Sequence, residues 1–403
     1  MTTRQQTKPL TELTVAELWK EVKVSEEEIW GDLKLEAQLF LKRILEGAME
    51  DEVMEYIGIS RKYERTEGRV SQRNGYYKRD LETGSGVVRG LEVPRTRDGK
   101  FRTKVFRRYK RRGEEVDEAI KDMFLAGVST RRVKEVLEPL IGSSPSAQTV
   151  SQVTKSLDAE VRKFHRRKIE DCYRYLFLDG LTVKVKTATG VRKRLILCAY
   201  GIREDGRKEL IDFRQAKSES EHEWETFLND LYRRGLEGEN LALIITDGAP
   251  GLHKALDMVY PYTPRQRCWV HKLRNVASKL PRKVQEDCLR GAKLIYLAES
   301  RREAVRRYWQ WASQWRETEP KAVECLEKDL DELLSFFDFP EAHRSKIRTT
   351  NAIERVFREV RRRIKTMSCF ENWRSCERII YAIFHYYNKK WEEKPLNDFT
   401  QKS

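Results

Sequence analysis

The chain has 403 residues, of which 36% are charged, and a formal net charge of +16. An excess of cations of this size favours a polyanionic partner. Membrane surfaces are less favoured than nucleic acid, because no apolar run approaches the roughly 20 residues that span a bilayer and the N-terminus lacks a signal-peptide core. Seven scattered cysteines, an odd number, indicate reduced thiols. We therefore expect a cytoplasmic protein of two to four domains that binds nucleic acid.

Residues 1–60 run against this trend, with 13 acidic and 7 basic side chains. Apolar residues recur at helical spacing in this segment, which predicts amphipathic helices; they are Leu33, Ala37, Phe40, Ile44 and Ala48. An acidic helical segment is not expected to bind DNA by itself. Two interpretations stay open, packing within the chain and contact with a second subunit in a dimer.

Residues 61–113 are strongly basic, with 18 Lys and Arg against 6 Asp and Glu. The run LEVPRTRDGKFRTKVF predicts a β-hairpin closed at Asp98–Gly99. Aromatic residues interleave with the cations, namely Tyr76, Tyr77, Phe101, Phe106 and Tyr109. This composition suits a surface that contacts DNA phosphates. The predicted contacts are Arg95, Arg97, Lys100 and Arg102, and the alternative is a basic face that only water covers.

Residues 114–165 are predicted to form three helices. The first ends at Gly127, the second begins at Ser129–Thr130, and the third runs from Gln148 to Arg162. Helix, short turn and helix in this order suit a helix-turn-helix that enters the major groove of DNA. A helical hairpin without a role in DNA binding is the alternative interpretation.

From residue 170 the hydrophobic period changes to that of strands. The runs YRYLFLDG, LTVKVKT, VRKRLILCAYGI and RKELIDFR predict adjoining strands, with Asp205–Gly206 as a hairpin turn. A helix over Glu221–Leu236, a buried strand over Leu241–Thr246 and a helix over Leu252–Met258 follow. Asp247 stands directly after the buried strand, where ligands of open α/β sheets bind. The alternative is an ordinary turn, because the chain has four Asp-Gly pairs.

Residues 276–346 show only helical patterns. The helix that follows, Asn351–Lys365, carries Glu354, Arg358, Arg361 and Lys365 within an arc of roughly 60°. Its adjacent stripe is apolar, formed by Ile353, Phe357, Val360 and Ile364. One face can therefore pack on a sheet while Glu354 and three cations point in a common direction.

An ordered set of residues follows Asp247. It consists of Gly251, Leu252, Val259-Tyr260-Pro261, Thr263, Gln266, Cys268 and His271. This set resembles the signature of the Mutator-type transposases of bacterial insertion sequences. The likeness extends from RNGYYKRDLETGSG near Arg73 to NAIERVFREVRRRIK ending at Lys365, roughly three-quarters of the chain.

The resemblance implies an α/β fold with a ribonuclease-H-like catalytic domain, formed by residues 170–275 and 347–392. An all-helical insertion, residues 276–346, is implied between the two parts of this domain. Helical and small β segments for DNA binding are implied before the domain. The implied acid triad is Asp179 at the end of the first strand, Asp247, and Glu354 on the helix after the insertion. Taken singly, Asp179 could belong to a hairpin turn, and Glu354 could close a capping box opened by Asn351.

The resemblance also implies the chemistry. A DDE transposase cleaves the ends of its own element and joins the 3′-hydroxyls to target DNA, with Mg²⁺ held by carboxylates and Mn²⁺ able to substitute. The expected partners are double-stranded DNA, at element ends and target, and further copies of the chain in a homodimer or higher assembly. Arg361 occupies the position of a basic residue seven places after the glutamate. Trp315 is the candidate for an aromatic residue that stacks on a base.

Cys268-x-x-His271 is a possible half of a zinc site. Tetrahedral zinc needs four ligands, and no second closely spaced Cys/His pair follows. We therefore expect the pair to pack near the active site. Two rival functions stay open, a DNA-binding protein without catalysis and a nuclease that cuts branched DNA without joining it.

Overall fold

The computed structural model describes residues 26–62, 64–65, 67–106, 110–365 and 369–396. The predictions for residues 1–25 and for Tyr109 lie outside this range. The chain divides into two compact units. The first comprises residues 1–124 and 128–155, and the second comprises residues 125–127 and 156–403.

The first unit is built around one long helix and a two-stranded antiparallel sheet. Helix α1 spans Glu26–Ile57, β1 spans Arg73–Thr83 and β2 spans Gly86–Thr96. Met49 is buried between the helix and the sheet. It packs with side chains from both strands, Leu81, Val88, Leu91 and Val93. One face of α1 is therefore covered within the chain.

The predicted hairpin closure at Asp98–Gly99 is wrong. The hairpin closes between Thr83 and Gly86, where the Thr83 hydroxyl donates to the Gly86 carbonyl oxygen at 2.8 Å and Gly86 has a φ of 122° that favours glycine. Asp98–Gly99 forms a turn after β2, but residues 100–106 are not a strand. Phe101 packs against Tyr56 of α1, with ring centroids 5.6 Å apart. Residues 100–106 therefore pack against α1 through Phe101 and do not pair with β2 as a third strand.

Four helices follow where three were predicted. They are α2 (Glu114–Leu125), α3 (Arg132–Ile141), α4 (Ala147–Thr154) and α5 (Leu157–Arg166). The predicted third helix breaks at Lys155, the C-cap of α4. Val150 of α4 belongs to the core of α2 and α3, whereas α5 belongs to the second unit. The break thus separates residues that pack in different cores.

The second unit contains a mixed five-stranded sheet. Its strands are β3 (Tyr173–Thr187), β4 (Gly190–Arg203), β5 (Lys208–Ala216), β6 (Leu243–Thr246) and β7 (Arg265–Arg267). The strand order is β5-β4-β3-β6-β7, with β3–β5 antiparallel and β6 and β7 parallel to β3. Helices α6 (Glu221–Arg233) and α7 (Pro250–Val259) supply the core with Trp224, Phe227, Leu252 and Leu256. The predicted α/β class is confirmed.

The remaining described elements are helical. They are α8 (Trp269–Ala277), α9 (Arg282–Tyr296), α10 (Arg301–Trp315), α11 (Pro320–Glu327), α12 (Leu330–Leu334), a 3₁₀ turn (Ser335–Asp338), α13 (Glu341–Ile347), α14 (Asn351–Lys365) and α15 (Trp373–Glu392). The helical pattern over residues 276–346 and the bounds of α14 are confirmed. None of the helices in the described ranges is long and apolar enough to cross a membrane.

Candidate active site

Asp179 lies in the interior of β3, so the prediction that it ends the first strand is wrong. Asp179 pairs with Cys198 of β4, and β3 continues to Thr187. The alternative of a hairpin turn at Asp179–Gly180 is wrong as well, since the hairpin turn follows Thr187. Gly180 is not among the glycines with positive φ, so this Asp-Gly pair adopts extended backbone. The alternating apolar and polar residues of LTVKV (181–185) continue the strand beyond this pair.

The register of the sheet brings Asp179 and Asp247 together. Leu178 of β3 pairs with Thr246, the last residue of the parallel strand β6. The next residue on each strand is the aspartate, so both carboxylates stand where β6 ends. Asp247 is half-buried, and its Oδ1 accepts the Ala249 N–H at 3.0 Å. Both aspartates therefore lie beside the carboxyl end of β6, where ligands of α/β proteins bind.

Glu354 joins this site from the first turn of α14. Ile353, Phe357 and Val360 are buried, so the predicted apolar stripe anchors the helix, while Glu354 stays half-buried. Its carboxylate Oε1 lies 3.3 Å from His271 Nε2 and 3.3 Å from Arg274 Nη1. The negative charge of Glu354 reaches Asp179 strongly enough to affect its pKa.

The electrostatics of Asp179 are those of a crowded acid site. Its side chain is 5% exposed. Burial, and next the negative charge of Asp247, raise the pKa of Asp179 to about 7, against the opposing effect of His271 and of the Gly180 N–H 2.7 Å away. Carboxylates that share a poorly solvated site repel one another, so one of them holds its proton more tightly.

Cys268 is the N-cap residue of α8 and His271 lies in its first turn, beside Glu354. The buried Cys268 Sγ accepts the Thr350 N–H at 3.3 Å. Its hydrogen bond with His271 is the main cause that raises the pKa of His271 to about 9. Burial alone would raise the pKa of the Cys268 thiol, but hydrogen bonds from His271 and Thr350 lower it. An imidazolium facing Glu354 is favoured by these contacts.

Glu219 is a fourth carboxylate at the site that the sequence did not single out. Burial and the negative charge of Asp247 raise the pKa of Glu219. A Cβ added at Gly180 would lie 2.8 Å from its Oε1, so a side chain at position 180 would crowd this carboxylate. Glu219 sits in the acidic run KSESEHEW. Its only local signal is the neighbouring N-cap residue Ser220, which does not distinguish it from nearby acids.

Buried ion pairs connect the loop after Asp247 to the helical segment of residues 276–346. Arg267 donates to the carbonyl oxygen of Gly248 and pairs with Asp329, which also pairs with Lys272. Gly248 has a φ of 88°, and a Cβ there would overlap the Arg267 guanidinium. Two cations thus compensate the buried Asp329 carboxylate, and the backbone beside Asp247 is fixed.

The other predicted site residues are distributed over the two units. Arg358, Arg361 and Lys365 are exposed on α14. Arg95, Arg97 and Arg102 line a cleft of about 1250 Å³ in the first unit, in which the Arg95 guanidinium lies 5.0 Å from the ring centroid of Tyr77. Lys100 is exposed.

The tryptophans of α10 differ in exposure. Trp315 is half-buried, and Trp311 is buried and donates to the Cys288 carbonyl oxygen at 2.9 Å. Trp309 is 56% exposed. An aromatic contact with DNA is therefore sterically easier for Trp309 than for the predicted Trp315.

Comparison with known proteins identifies the family. A family model described as "Transposase, Mutator family" matches residues 16–394. The class of protein is thus the transposases, which cut and join DNA. The chain belongs to the Mutator family of transposases.

Curated relatives agree with this assignment. The transposase for insertion sequence element ISRM5 of Rhizobium meliloti (strain 1021) is 35% identical over 88% of this chain and 88% of its own length. The transposase for IS905 of Lactococcus lactis is 32% identical over 90% of this chain and 92% of its own. The transposase for IS256 in transposon Tn4001 of Staphylococcus aureus is 35% identical over 87% of this chain and 90% of its own.

Proposed function

We propose that this transposase cleaves the ends of a bacterial insertion sequence by metal-assisted attack on phosphodiester bonds and joins the 3′-hydroxyls to target DNA. The observation that carries the proposal is the convergence of Asp179, Asp247 and Glu354. They come from β3, from the end of β6 and from α14, three elements far apart in sequence. A DNA-binding protein without catalysis does not require three acids in one place, where they would repel phosphate.

We further propose that the second unit has a ribonuclease-H-like catalytic domain with residues 276–346 as a helical insertion. Three antiparallel strands followed by two strands parallel to the first, in the order β5-β4-β3-β6-β7, support this assignment. The insertion enters between Asp247 and Glu354. Its contacts through Asp329 reach the backbone next to Asp247, so its position bears directly on the site.

The carboxylates suit Mg²⁺ or Mn²⁺ by their chemistry. Hard divalent cations prefer carboxylate oxygens, and the pKa of Asp179 is raised first by burial and next by the negative charge of Asp247. Across the described part of the chain, no three His, Cys, Asp or Glu side chains are close enough to hold one ion as they stand. Glu354, which faces His271 and Arg274, is the acid that would have to reorient.

The bound ions would activate the attacking oxygen and stabilise the leaving one. The residues of the chain provide the positioning. His271 and Arg274 hold Glu354, and the Gly180 and Ala249 N–H groups orient the two aspartates. Arg358, Arg361 and Lys365 continue the face of Glu354 along α14, where a DNA strand leaving the site would meet them. The cleft lined by Arg95, Arg97 and Arg102 would bind phosphates in another part of the DNA. The reaction would take place in the bacterial cytoplasm.

The test is incubation of the full-length protein with labelled end DNA and an unlabelled target duplex, with Mn²⁺ or with chelator. The proposal predicts metal-dependent cleavage followed by joined products longer than the substrate. A DNA-binding protein without catalysis would shift the labelled DNA and leave it uncut. A structure-specific nuclease would cut branched DNA better than end DNA and give no joined product.

A further inference from the structure

A cluster of three buried charges lies where the helical segment of residues 276–346 meets the sheet. The Asp329 carboxylate uses both of its oxygens there, since Oδ1 pairs with the Arg267 guanidinium and Oδ2 pairs with the Lys272 ammonium. These three side chains are 9%, 17% and 5% exposed. Arg267 is the last residue of β7, and Lys272 lies in α8. One acid of the helical segment therefore contacts two elements that flank the acid site.

The two cations are connected to different acids of the site. Arg267 also donates to the carbonyl oxygen of Gly248, the residue that follows Asp247. Lys272 follows the histidine whose imidazole lies 3.3 Å from the Glu354 carboxylate. The cluster thus joins the backbone beside one acid to the helix that contacts another.

We propose that Asp329 is a positioning residue of the reaction, which acts through the two cations. Through Arg267 it holds the backbone beside Asp247. Through Lys272 it holds α8, whose histidine faces Glu354. This role rests on the proposed function, because it concerns the same acids. A catalytic group that is misplaced by about 1 Å can lower a rate by about 100-fold, so the positioning has a measurable effect.

The helical segment is also docked on the sheet by contacts between uncharged groups. Gln266 Nε2 donates to the Leu333 carbonyl oxygen at 3.0 Å, and Gln266 Oε1 accepts the Phe336 N–H at 2.8 Å. The Trp269 indole donates to the same Leu333 oxygen at 2.7 Å. Buried ion pairs add little net stability over apolar side chains of similar volume. The distinct contribution of the charged cluster is therefore its hold on the Gly248 carbonyl.

The contact between Arg267 and Gly248 depends on both residue types. Gly248 has a φ of 88°, and a Cβ there would overlap the guanidinium. The guanidinium can donate to a carbonyl and pair with a carboxylate at the same time, because its N–H groups form a planar fork. Lysine has one ammonium on a flexible stem. We therefore expect a lysine at position 267 to pair with Asp329 and to release the Gly248 carbonyl.

The first experiment replaces the whole cluster by apolar side chains in the full-length protein, with Arg267→Met, Lys272→Met and Asp329→Leu combined. No buried charge is then left unpaired, so the triple variant should melt near or above the wild-type temperature. It should bind end DNA with wild-type affinity, since the replaced side chains are buried. Its cleavage in Mn²⁺ at saturating DNA should be about 100-fold slower. A folded triple variant that cleaves at the wild-type rate would overturn the proposal.

The second experiment tests the carbonyl contact alone with Arg267→Lys, which keeps the charge opposite Asp329. This variant should fold and cleave about 10- to 100-fold more slowly than the wild type. Arg265→Lys is the matched control, because Arg265 lies on the same strand, is 15% exposed and pairs with Asp257 of α7 at 2.7 Å. It should cleave like the wild type. Equal slowing by both substitutions would assign the effect to the edge of the sheet and contradict the proposal.

The third experiment is amide hydrogen exchange without DNA or metal, which separates this role from the reaction itself. In Arg267→Lys the N–H groups of residues 247–249 should exchange about tenfold faster than in the wild type, whereas those of β6 should be unchanged. Wild-type exchange at residues 247–249 in the folded variant would overturn the proposal. A wild-type protein that cleaves no DNA would refute the proposed function, and the exchange result would still decide whether Arg267 holds this backbone.

Discussion

The imidazole Nε2 of His271 lies 3.3 Å from the carboxylate Oε1 of Glu354. His271 belongs to the first turn of α8, and Glu354 belongs to the first turn of α14, 83 positions further along the chain. The contact places the Cys268-x-x-His271 pair beside the acids. The pair orients the carboxylate of Glu354, which follows the helical segment of residues 276–346 along the chain.

This contact predicts that His271→Ala impairs cleavage through Glu354. We expect the cleavage rate to fall about 10- to 100-fold and the Mn²⁺ concentration for half-maximal cleavage to rise, as on removal of residues that orient metal ligands. The melting temperature should be unchanged, since the His271 side chain is part-exposed. A variant with normal metal dependence and a lowered melting temperature would show that His271 serves folding alone.

The pKa of Asp179, raised from 3.8 to about 7, predicts how stability depends on pH. The folded protein keeps a proton that the unfolded chain loses, so without metal the folded state loses stability as pH rises from about 4 to about 7. Asp179→Asn removes this loss. At pH 8 the variant should be more stable than the wild type, by at most about 4 kcal/mol.

The measurement is thermal unfolding in chelator at pH 5 and pH 8. Asp205→Asn is the matched control, because Asp205 also precedes a glycine but lies in an exposed turn. The control should follow the wild type. An Asp179→Asn protein that is less stable than the wild type at pH 8 would mean that the Asp179 carboxylate is not under strain from its neighbours.

Glu219 is predicted to assist the acid site. Glu219→Gln should raise the Mn²⁺ concentration for half-maximal cleavage about tenfold, because it removes a negative charge beside Asp247. Gly180→Ala should cause a similar defect, since its methyl group would displace the Glu219 carboxylate and also meet Leu195. Titration of cleavage with Mn²⁺ checks both. Glu219→Gln with an unchanged metal requirement would place Glu219 outside the site.

Arg361 is predicted to act on DNA. It is exposed and has no ion-pair partner among the described acids, so Arg361→Ala should leave the melting temperature unchanged. Cleavage should fall, and the log–log slope of DNA affinity against salt should decrease by about 0.9. Arg362→Ala is the matched control, because Arg362 pairs with Glu359 at 2.7 Å. Equal effects of both substitutions on the salt slope would contradict a specific role for Arg361.

Hydrophobic periodicity predicted the elements of the second unit well. The bounds of α14 and the Asp205–Gly206 turn are confirmed, because the helix has a strong apolar stripe and the turn lies between clear strands. Asp179–Gly180 shows the limit of local patterns. The same dipeptide forms a turn at residue 205 and continues a strand at residue 179, where pairing with β4 decides the conformation.

The errors have a common physical cause in long-range contacts. The hairpin of the first unit joins β1 to β2. The predicted hairpin after β2 does not form, because Phe101 packs against α1 instead of extending a further strand. Glu219 could not be selected from its acidic neighbours, since its role depends on the sheet register that places Asp247 nearby. Contacts between residues far apart in the sequence leave no local pattern. The order of the signature residues after Asp247, in contrast, can be recognised from the sequence alone.

The most direct test of the account is the rate at which Asp179→Ala, Asp247→Ala and Glu354→Gln cleave labelled end DNA in Mn²⁺, at protein concentrations that saturate binding. Removal of a carboxylate that holds catalytic metal should lower the rate by about a thousandfold or more, while DNA affinity, which comes mainly from cations elsewhere, should change little. All three variants should therefore bind end DNA and leave it uncut. A variant that binds and cleaves at nearly the wild-type rate would contradict the assignment of its acid to the site.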